Sequence, residues 1–305
     1  MPSSQPAHTS ATRPLDTIGM LVVVFLCFSW GFNQVSIKLA IHDIPPLTQA
    51  VVRSVVASVI VWAWMWFRGM PLFGRDGTLR AGVVCGLCFG AEFVMLYQGL
   101  NYTTASRATL FLYLAPFFVV LGVRWLVPAD RFGPWQWLGL GLSFVGMAVA
   151  FGAPSPAADP RQMLGDILVV GAAFFWAMTT LLIKGTRLGR ASSEKVIMYQ
   201  LGISVPILAT AALSAGEHLI VNPSPSALAI GALAYQAVYV VPVTFVVWFA
   251  MIVRYSASRL SAFTFLSPLC GAVAGHLILG DPLNAGFVTA VVLVMAGLIL
   301  VNRAR

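Results

Sequence analysis

Apolar residues in this chain are grouped into ten runs of about twenty residues each, separated by short polar connections. An α-helix needs about 20 predominantly apolar residues to cross about 30 Å of hydrocarbon. The pattern therefore predicts an all-α integral membrane protein with ten transmembrane helices. These helices are numbered here as spans 1 to 10 and are predicted at residues 18–37, 47–67, 80–100, 105–126, 133–151, 165–184, 195–213, 228–251, 257–279 and 284–301.

One sequence pattern in span 4 returns in span 9. Ala105-Ser106-Arg107 is followed by an apolar run to Pro116, and Ala257-Ser258-Arg259 is followed by an apolar run to Pro268. In both copies the arginine precedes the proline by nine residues, and an acidic residue follows at Asp130 or Asp281. Spans 1 and 6 match in the same way, because the lysine follows the tryptophan by eight positions in both Trp30–Lys38 and Trp176–Lys184.

These markers define a repeat of about 150 residues, in the same order in both halves. We predict a first repeat at residues 18–151 and a second at 165–301, preceded by a disordered cytoplasmic tail at 1–17. Five spans per repeat is an odd number, so the second repeat crosses the membrane in the opposite direction. Inverted repeats are a recurring plan of secondary transporters, whose substrate site lies near the midplane where the repeats meet.

Composition agrees with a membrane location, since 59% of the residues are hydrophobic and 9% are charged, against about 25% charged in soluble domains. The net charge of +8 could indicate nucleic-acid binding. If the N-terminus is cytoplasmic, however, 14 of the 18 basic residues fall on the cytoplasmic side. This is the asymmetry of the positive-inside rule. We therefore predict a multi-pass protein of the bacterial inner membrane with both termini in the cytoplasm, and no nucleic-acid partner.

Two charged residues are predicted well inside the membrane, Arg53 in span 2 and Glu92 in span 3. Charges at such depth are costly and face the bundle interior or a water-filled cavity. Two interpretations remain open. Arg53 and Glu92 could form a structural ion pair, or Glu92 could face the cavity as the partner of an amine or as a proton site.

Other candidate binding residues are polar or aromatic side chains near the middle of their spans, each with packing as its alternative role. They are Trp30 and Asn33 in span 1, Tyr113 in span 4, Trp176 and Thr180 in span 6, and Tyr235, Gln236 and Tyr239 in span 8. Proline within a helix produces a kink, so Pro116 and Pro268 are candidate hinges. Arg107 and Arg259 are predicted at opposite mouths of the bundle as gating residues.

No pattern in the chain indicates a catalytic site, a metal site or a cofactor. The four cysteines fall inside predicted spans, where free cysteine packs as a small apolar residue. Cys85 and Cys88 have C-x-x-C spacing without a second ligand pair. No zinc-protease or paired-carboxylate constellation is formed at membrane depth, so we expect a protein that is not an enzyme.

The residues described above resemble the drug/metabolite transporter superfamily, specifically its ten-helix EamA-type branch. The resemblance spans both repeats; its most typical stretches are Ser29-Trp30-Gly31 through Lys38, Pro45-Pro46 with Arg53, Tyr97 through Arg107 to Pro116, Ala257-Ser258-Arg259 through Pro268, and Leu279-Gly280-Asp281-Pro282. Asp130 and Asp281 are departures, since the family usually has glutamate there. Val127-Pro128-Ala129 also stands where the family has Leu-Gly.

The resemblance implies export or exchange of small metabolites by alternating access, through a central cavity formed mainly by spans 1, 3, 4, 6, 8 and 9. It carries over Trp30, Asn33 and Trp176 as cavity residues. A doubly charged sugar phosphate or nucleotide sugar requires several cations to bind it, and Arg53 is the one basic residue well inside the membrane. We therefore do not expect a carrier of such anions. Glu92 among aromatic residues suits a zwitterion or a cation with an apolar body.

We therefore expect an exporter of amino acids or related amino-bearing amphipathic compounds, embedded in membrane lipid, with protons as a candidate coupling ion. The alternative within the class is a drug or quaternary-amine exporter. The alternative from another class is a membrane receptor or structural protein that transports nothing. The sequence assigns no oligomeric state.

Overall fold

The computed structural model describes residues 15–72, 74, 76–126, 131–152, 160–219, 224–283 and 285–303. Within these ranges the chain folds as an all-helical bundle, as predicted. Most of the predicted disordered tail and Asp130 lie outside the described residues. We call the membrane face at which span 1 begins the N-terminal face, and the face at which span 1 ends the opposite face.

Each of the ten predicted spans corresponds to one helix or to helical pieces in line. Their bounds are Thr17–Ala40, Pro46–Phe67, Leu79–Leu100, Ala105–Leu112 with Ala115–Leu126, Pro134–Phe151, Pro160–Gly185, Ser193–Ser214, Ala227–Ala234 with Tyr235–Thr244 and Phe245–Arg254, Ala257–Phe263 with Leu266–Leu279, and Phe287–Asn302. Among the described residues, nine spans are long and apolar enough to cross a membrane and the tenth is shorter. Span 6 begins five residues earlier than predicted because Pro160 is tolerated in the first turn, where no N–H is needed.

Spans 4 and 9, which carry the duplicated pattern, are both broken about one turn before their proline. The first piece of span 4 ends at Leu112 and the second, beginning at Ala115, contains Pro116. Span 9 repeats this arrangement, with a first piece that ends at Phe263 and Pro268 in the second. Proline removes one hydrogen bond and clashes with the preceding turn. The predicted kinks are therefore present as breaks in the helix.

The breaks are bridged by tighter turns. In span 4, the N–H of Leu114 donates to the carbonyl oxygen of Phe111 at 3.1 Å. In span 9, the N–H of Phe265 donates to the carbonyl oxygen of Ala262 at 3.2 Å. These are bonds between residues three apart, as in a 3₁₀ turn. The inverted repeats therefore share the same local distortion. It lies toward the opposite face in span 4 and toward the N-terminal face in span 9.

Spans 5 and 10 pack against each other through small residues and contribute no side chain to the central cavity. A Cβ atom placed on Gly139 would lie 2.4 Å from the carbonyl oxygen of Gly297. Such a distance is shorter than any real contact, so both positions require glycine for this approach. Small residues therefore lie at the contact of the two spans.

The other contacts between repeats enclose the centre of the bundle. Span 1 packs on span 9, and span 3 packs on spans 6 and 7. Gly31 allows the closest approach of spans 1 and 9, because a Cβ there would lie 2.7 Å from the carbonyl oxygen of Ser267. The two repeats therefore interleave, and the space between them is lined by both.

Candidate functional site

A cavity of about 260 Å³ lies between the two repeats and is lined by spans 1–4 and 6–9. The resemblance implied spans 1, 3, 4, 6, 8 and 9, and the structure adds Arg53 of span 2 and Gln200 of span 7 to its wall. Of the residues predicted for binding, the cavity brings together five: Trp30, Asn33, Glu92, Tyr113 and Trp176.

The cavity extends to the opposite face and stops before the N-terminal face. Leu100, the last residue of span 3, lies at one end of it. At the other end, Phe249 lies five residues before the end of span 8, which corresponds to about 8 Å of helix. Leu26, Ile197 and Ile252 are buried on the N-terminal side, with 2%, 0% and 0% of their surfaces exposed. The described conformation is therefore closed toward the N-terminal face.

A second cavity of about 580 Å³ adjoins the first at the opposite face, between spans 1, 4, 5, 9 and 10. Gln34, Leu112 and Tyr113 line both cavities. Tyr113 and its neighbour Leu112 lie at the break of span 4, so the distortion caused by Pro116 forms part of the wall between the two cavities. Pro268 lines the second cavity.

Arg53 and Glu92 both face the central cavity, although they are buried, with 4% and 9% of their surfaces exposed. Arg53 lies seven residues into span 2 and Glu92 eight residues before the end of span 3, so both lie about 10–12 Å below the opposite face. No ion pair within 4.0 Å joins these two residues. Arg53 instead lies over the ring of Phe93, 5.0 Å from its centre.

Aromatic side chains from both repeats form most of the remaining wall. The Trp30 Nε1–H donates to Oγ1 of Thr244 at 2.9 Å, which fixes the indole ring. The rings of Trp30 and Trp248 meet edge to face, with centroids 5.2 Å apart. Across the cavity, Tyr113 and Trp176 meet edge to face at 5.8 Å. Edge-to-face pairs are the favoured geometry of aromatic contacts, so these rings form a preorganised apolar surface.

Polar groups line the cavity at two further positions. The side-chain amide of Gln200 is fully buried; its Nε2 donates to Sγ of Cys85 at 3.3 Å and its Oε1 has no partner among the described residues. Thr179 lines the cavity, whereas the predicted Thr180 does not. The hydroxyl of Thr180 donates to the Trp176 carbonyl within its own helix, at 3.4 Å.

Tyr235, Gln236 and Tyr239 lie outside the central cavity. The two tyrosine rings share a face, as their spacing predicts, with centroids 5.3 Å apart. Their hydroxyls meet Ser29 instead, in an apolar groove between spans 1, 8 and 9. The Gln236 Nε2 donates to the side chain of Gln49 at 3.0 Å.

Span 8 contains a π-helical stretch, Tyr235–Thr244. A π-helix has more residues per turn than an α-helix and rotates the chain that follows it. Phe245, Trp248 and Phe249, which come after this stretch, are the residues of span 8 that line the cavity together with Val240. An α-helical projection of span 8 does not anticipate this rotation.

Arg107, a predicted gating residue, forms an ion pair at the opposite face with Asp166 of span 6. The Arg107 Nε–H donates to Oδ1 of Asp166 at 3.1 Å, and the Thr103 hydroxyl donates to the same oxygen at 2.6 Å. We call this group the Asp166 clasp. It holds the start of span 4, in the first repeat, against span 6 in the second.

A matching contact, the Asp16 clasp, is found at the N-terminal face. Asp16 caps span 1, accepting a bond from the N–H of Gly19 at 2.7 Å and another from the hydroxyl of Tyr255 at 2.9 Å. Tyr255 precedes span 9, so this clasp joins the first span of one repeat to the fourth span of the other, as the Asp166 clasp does. Arg259 binds the end of span 10 instead, donating to the carbonyl oxygen of Arg303 at 3.2 Å.

A further ion pair closes the N-terminal face, between Asp76 in the loop before span 3 and Lys195 at the start of span 7. The Lys195 side chain is 5% exposed and that of Asp76 is 42% exposed. Hydrogen bonds from Lys195 and Thr78 hold the pKa of Asp76 well below its ordinary value. A buried ammonium group depends on its counterion.

We expect Asp76→Asn to lower the thermal stability of the protein more than Asp281→Asn does. Asp281 is 44% exposed and pairs at 2.7 Å with Lys38, but that lysine is 60% exposed and remains hydrated without its partner. Melting curves of the two variants in detergent would measure the difference, with a fall of a few degrees expected for Asp76→Asn. Equal falls would show that burial of Lys195 does not matter.

The Asp76–Lys195 pair also predicts that the stability of the protein depends on pH. Because the pKa of Asp76 is depressed in the folded protein, its stabilising effect is fully present above the unfolded pKa of about 3.9 and is lost progressively as the pH falls below it. The stability difference between the native protein and Asp76→Asn should therefore be constant from about pH 8 to pH 5 and shrink below about pH 4.

Comparisons with known proteins identify what the chain is similar to. The EamA-like transporter family matches residues 17–152 and 163–303. An uncharacterized transporter of Bacillus subtilis (strain 168) is 27% identical over 288 residues, covering 92% of this chain and 90% of that protein. Two proteins carry the name probable amino-acid metabolite efflux pump. The one from Salmonella typhimurium is 28% identical, covering 92% of each chain, and the one from Escherichia coli (strain K12) is 26% identical, covering 94% of each.

A solved crystal structure of another protein has the same fold. It superposes with a TM-score of 0.74 at 18% identity, over 93% of this chain and 95% of that chain. The likeness supports the arrangement of ten helices in two inverted repeats.

Proposed function

The chain belongs to the EamA-like transporter family, and we propose that it exports or exchanges amino acids or related amino-bearing amphipathic compounds by alternating access through the central cavity. As a multi-pass membrane transporter it acts on a small molecule within a lipid environment. The finer assignment of the cargo rests on the chemistry of the cavity wall.

The observation that carries the proposal is the position of Glu92. Its carboxylate is buried in a cavity whose wall is largely aromatic, and it forms no ion pair among the described residues. A buried carboxylate without a counterion is unfavourable and favours the arrival of a cation or a proton. An ammonium group supplies the charge, and an apolar body fits against Trp30, Trp176 and Trp248.

Two relatives named as probable amino-acid metabolite efflux pumps support the same cargo, at 28% and 26% identity. A quaternary-amine or drug exporter is the second candidate, because aromatic faces also attract quaternary ammonium ions. Arg53, in the same cavity, counts against it, since a cation without an acidic group would be repelled there.

In the transport cycle we propose, the two repeats, 18–151 and 165–301, move relative to each other, so that the cavity opens to one face at a time. The breaks near Pro116 and Pro268 would serve as hinges, and Arg107 and Arg259 would act as gating residues at the two mouths of the bundle. The distribution of basic residues supports cytoplasmic termini in a bacterial inner membrane. In that orientation the described conformation is open to the outside. Protonation of Glu92 is the proposed route for coupling to a proton gradient.

Uptake into proteoliposomes tests the function. A labelled panel of leucine, phenylalanine, threonine, choline and tetraphenylphosphonium would be offered to the purified native protein, with and without a pH gradient. We expect saturable flux of at least one amino acid, accelerated by the gradient. Flux of choline or tetraphenylphosphonium alone would favour the second candidate. Absence of flux for every compound would favour a receptor or structural role.

A further inference from the structure

We propose that Arg53 binds the carboxylate of the transported molecule, so that the cavity selects a zwitterionic amino acid over an amine of the same side chain. This inference rests on the proposed function and specifies its substrate. It assigns a role to a residue that the sequence suggested only as a structural partner of Glu92.

The Arg53 guanidinium has no protein acceptor among the described residues. Its surface is 4% exposed, and its Nε–H is buried without a hydrogen-bond partner. The contact it does make is with the ring face of Phe93. A guanidinium presents five N–H donors in a planar fork, and an aromatic ring satisfies none of them fully. A buried arginine in this state is incomplete without an anion.

Glu92 does not supply that anion. Both side chains line the same cavity at nearly the same depth, yet no ion pair within 4.0 Å forms between them. If they existed to neutralise each other, the flexible arginine side chain would close on the carboxylate in a bidentate pair, the favoured geometry for these groups. The two charged groups instead remain more than 4.0 Å apart, and the guanidinium lies against the ring of Phe93.

A zwitterion with adjacent charges fits this arrangement. An α-amino acid carries its ammonium and carboxylate on one carbon atom, so a single small group can meet both charges. Its ammonium would approach Glu92 and its carboxylate would approach Arg53. The side chain would then extend along the aromatic wall formed by Trp30 and Trp176. Each buried charge on the protein would acquire a partner at the same moment.

The arrangement discriminates against an amine that lacks the carboxylate. An amine without the carboxylate would pair with Glu92 but leave Arg53 without an acceptor, and it would add a second positive charge beside it. A site that buries a polar group discriminates strongly against ligands that cannot satisfy it. The amide of the same amino acid provides a carbonyl acceptor but no negative charge, and it should bind between the two.

Competition in proteoliposomes tests the proposal on the native protein. Uptake of labelled phenylalanine would be inhibited by unlabelled phenylalanine, phenylalaninamide or phenethylamine, and a second series would use leucine, leucinamide and isoamylamine. We expect phenethylamine and isoamylamine to inhibit at least about tenfold more weakly than the amino acids, since a charged hydrogen bond is lost. Inhibition of equal strength by amine and amino acid would overturn the role of Arg53.

Variants then identify the residue responsible. In Arg53→Gln we expect amine and amino acid to inhibit equally, whereas Arg53→Lys should retain part of the discrimination. Arg68→Gln is the matched control, because Arg68 caps the end of the same span, is exposed and lies outside the cavity; it should discriminate as the native protein does. Unchanged discrimination in a folded Arg53→Gln would overturn the proposal. If that variant does not fold, the inhibition series on the native protein decides whether the cavity selects for the carboxylate.

The outcomes also separate this inference from the proposed function. Flux of phenethylamine or isoamylamine with none of the amino acids would sustain an amine exporter and overturn the carboxylate site. Absence of flux and of thermal stabilisation by all six compounds would overturn both.

Discussion

Glu92→Gln is expected to reduce uptake of an amino acid into proteoliposomes about 100-fold, because truncating one partner of a buried charged pair costs 2–5 kcal/mol or more. The glutamine has the same shape and retains hydrogen-bonding capacity, but it offers no charge to the substrate ammonium. Glu92 forms no ion pair among the described residues, so the substitution leaves no protein cation unpaired. The variant should therefore fold, and the loss should appear in transport.

The control for this substitution is Glu194→Gln. Glu194 lies in the first turn of span 7, at the N-terminal face and away from the cavity. It should transport at the native rate. If Glu92→Gln and Glu194→Gln transport equally well, Glu92 has neither a binding nor a coupling role. A pH gradient that accelerates the native protein but not a partly active Glu92→Gln would assign proton coupling to this residue.

Gly139→Ala is expected to destabilise the protein by about 1–3 kcal/mol, the range for overpacking a closely packed interior. The added Cβ would lie 2.4 Å from the carbonyl oxygen of Gly297 and 2.9 Å from the backbone nitrogen of Val301. Both obstacles are backbone atoms, so the strain cannot be relieved by a change of rotamer. Spans 5 and 10 would have to separate. Thermal unfolding in detergent would measure the loss.

Gly141→Ala is a matched control two residues away in the same helix. A Cβ on Gly141 meets no atom within 4 Å, so the substitution adds no clash. Alanine is favoured over glycine inside a helix by up to about 1 kcal/mol, and this variant should therefore be slightly more stable than the native protein. Equal destabilisation by the two substitutions would show that the contact of spans 5 and 10 does not limit stability.

The fold could be predicted from the sequence because its main determinants are local. The lengths of the apolar runs define the spans, and the duplicated arginine–proline spacing of Arg107–Pro116 and Arg259–Pro268 reveals two repeats. The odd number of spans then requires inversion. Each of these signals needs no knowledge of which helices pack together.

The site was partly predictable for the same reason. Glu92 attracts notice because charge at membrane depth is rare. Phe89 and Leu96, three residues before it and four after, share its helical face, line the cavity and could have been found by spacing on span 3. Gln200 gives no such signal, because a glutamine seven residues into a span is also compatible with ordinary contacts between helices.

The positions of Tyr235, Gln236 and Tyr239 could not be predicted, since hydrophobic periodicity assumes 3.6 residues per turn and the π-helical stretch departs from it. The clasps were missed for a different reason. Asp16 and Asp166 are separated by the repeat length of about 150 residues, and this signal was present. A short polar residue at a helix end is, however, more often a simple cap.

The two clasps imply a mode of assembly. An acid at the start of the first span of each repeat, Asp16 or Asp166, meets a hydroxyl donor from just before the fourth span of the other repeat, Tyr255 or Thr103. Each clasp therefore joins the two repeats. The two halves of the present protein, produced as separate chains, should accordingly recognise each other and reassemble.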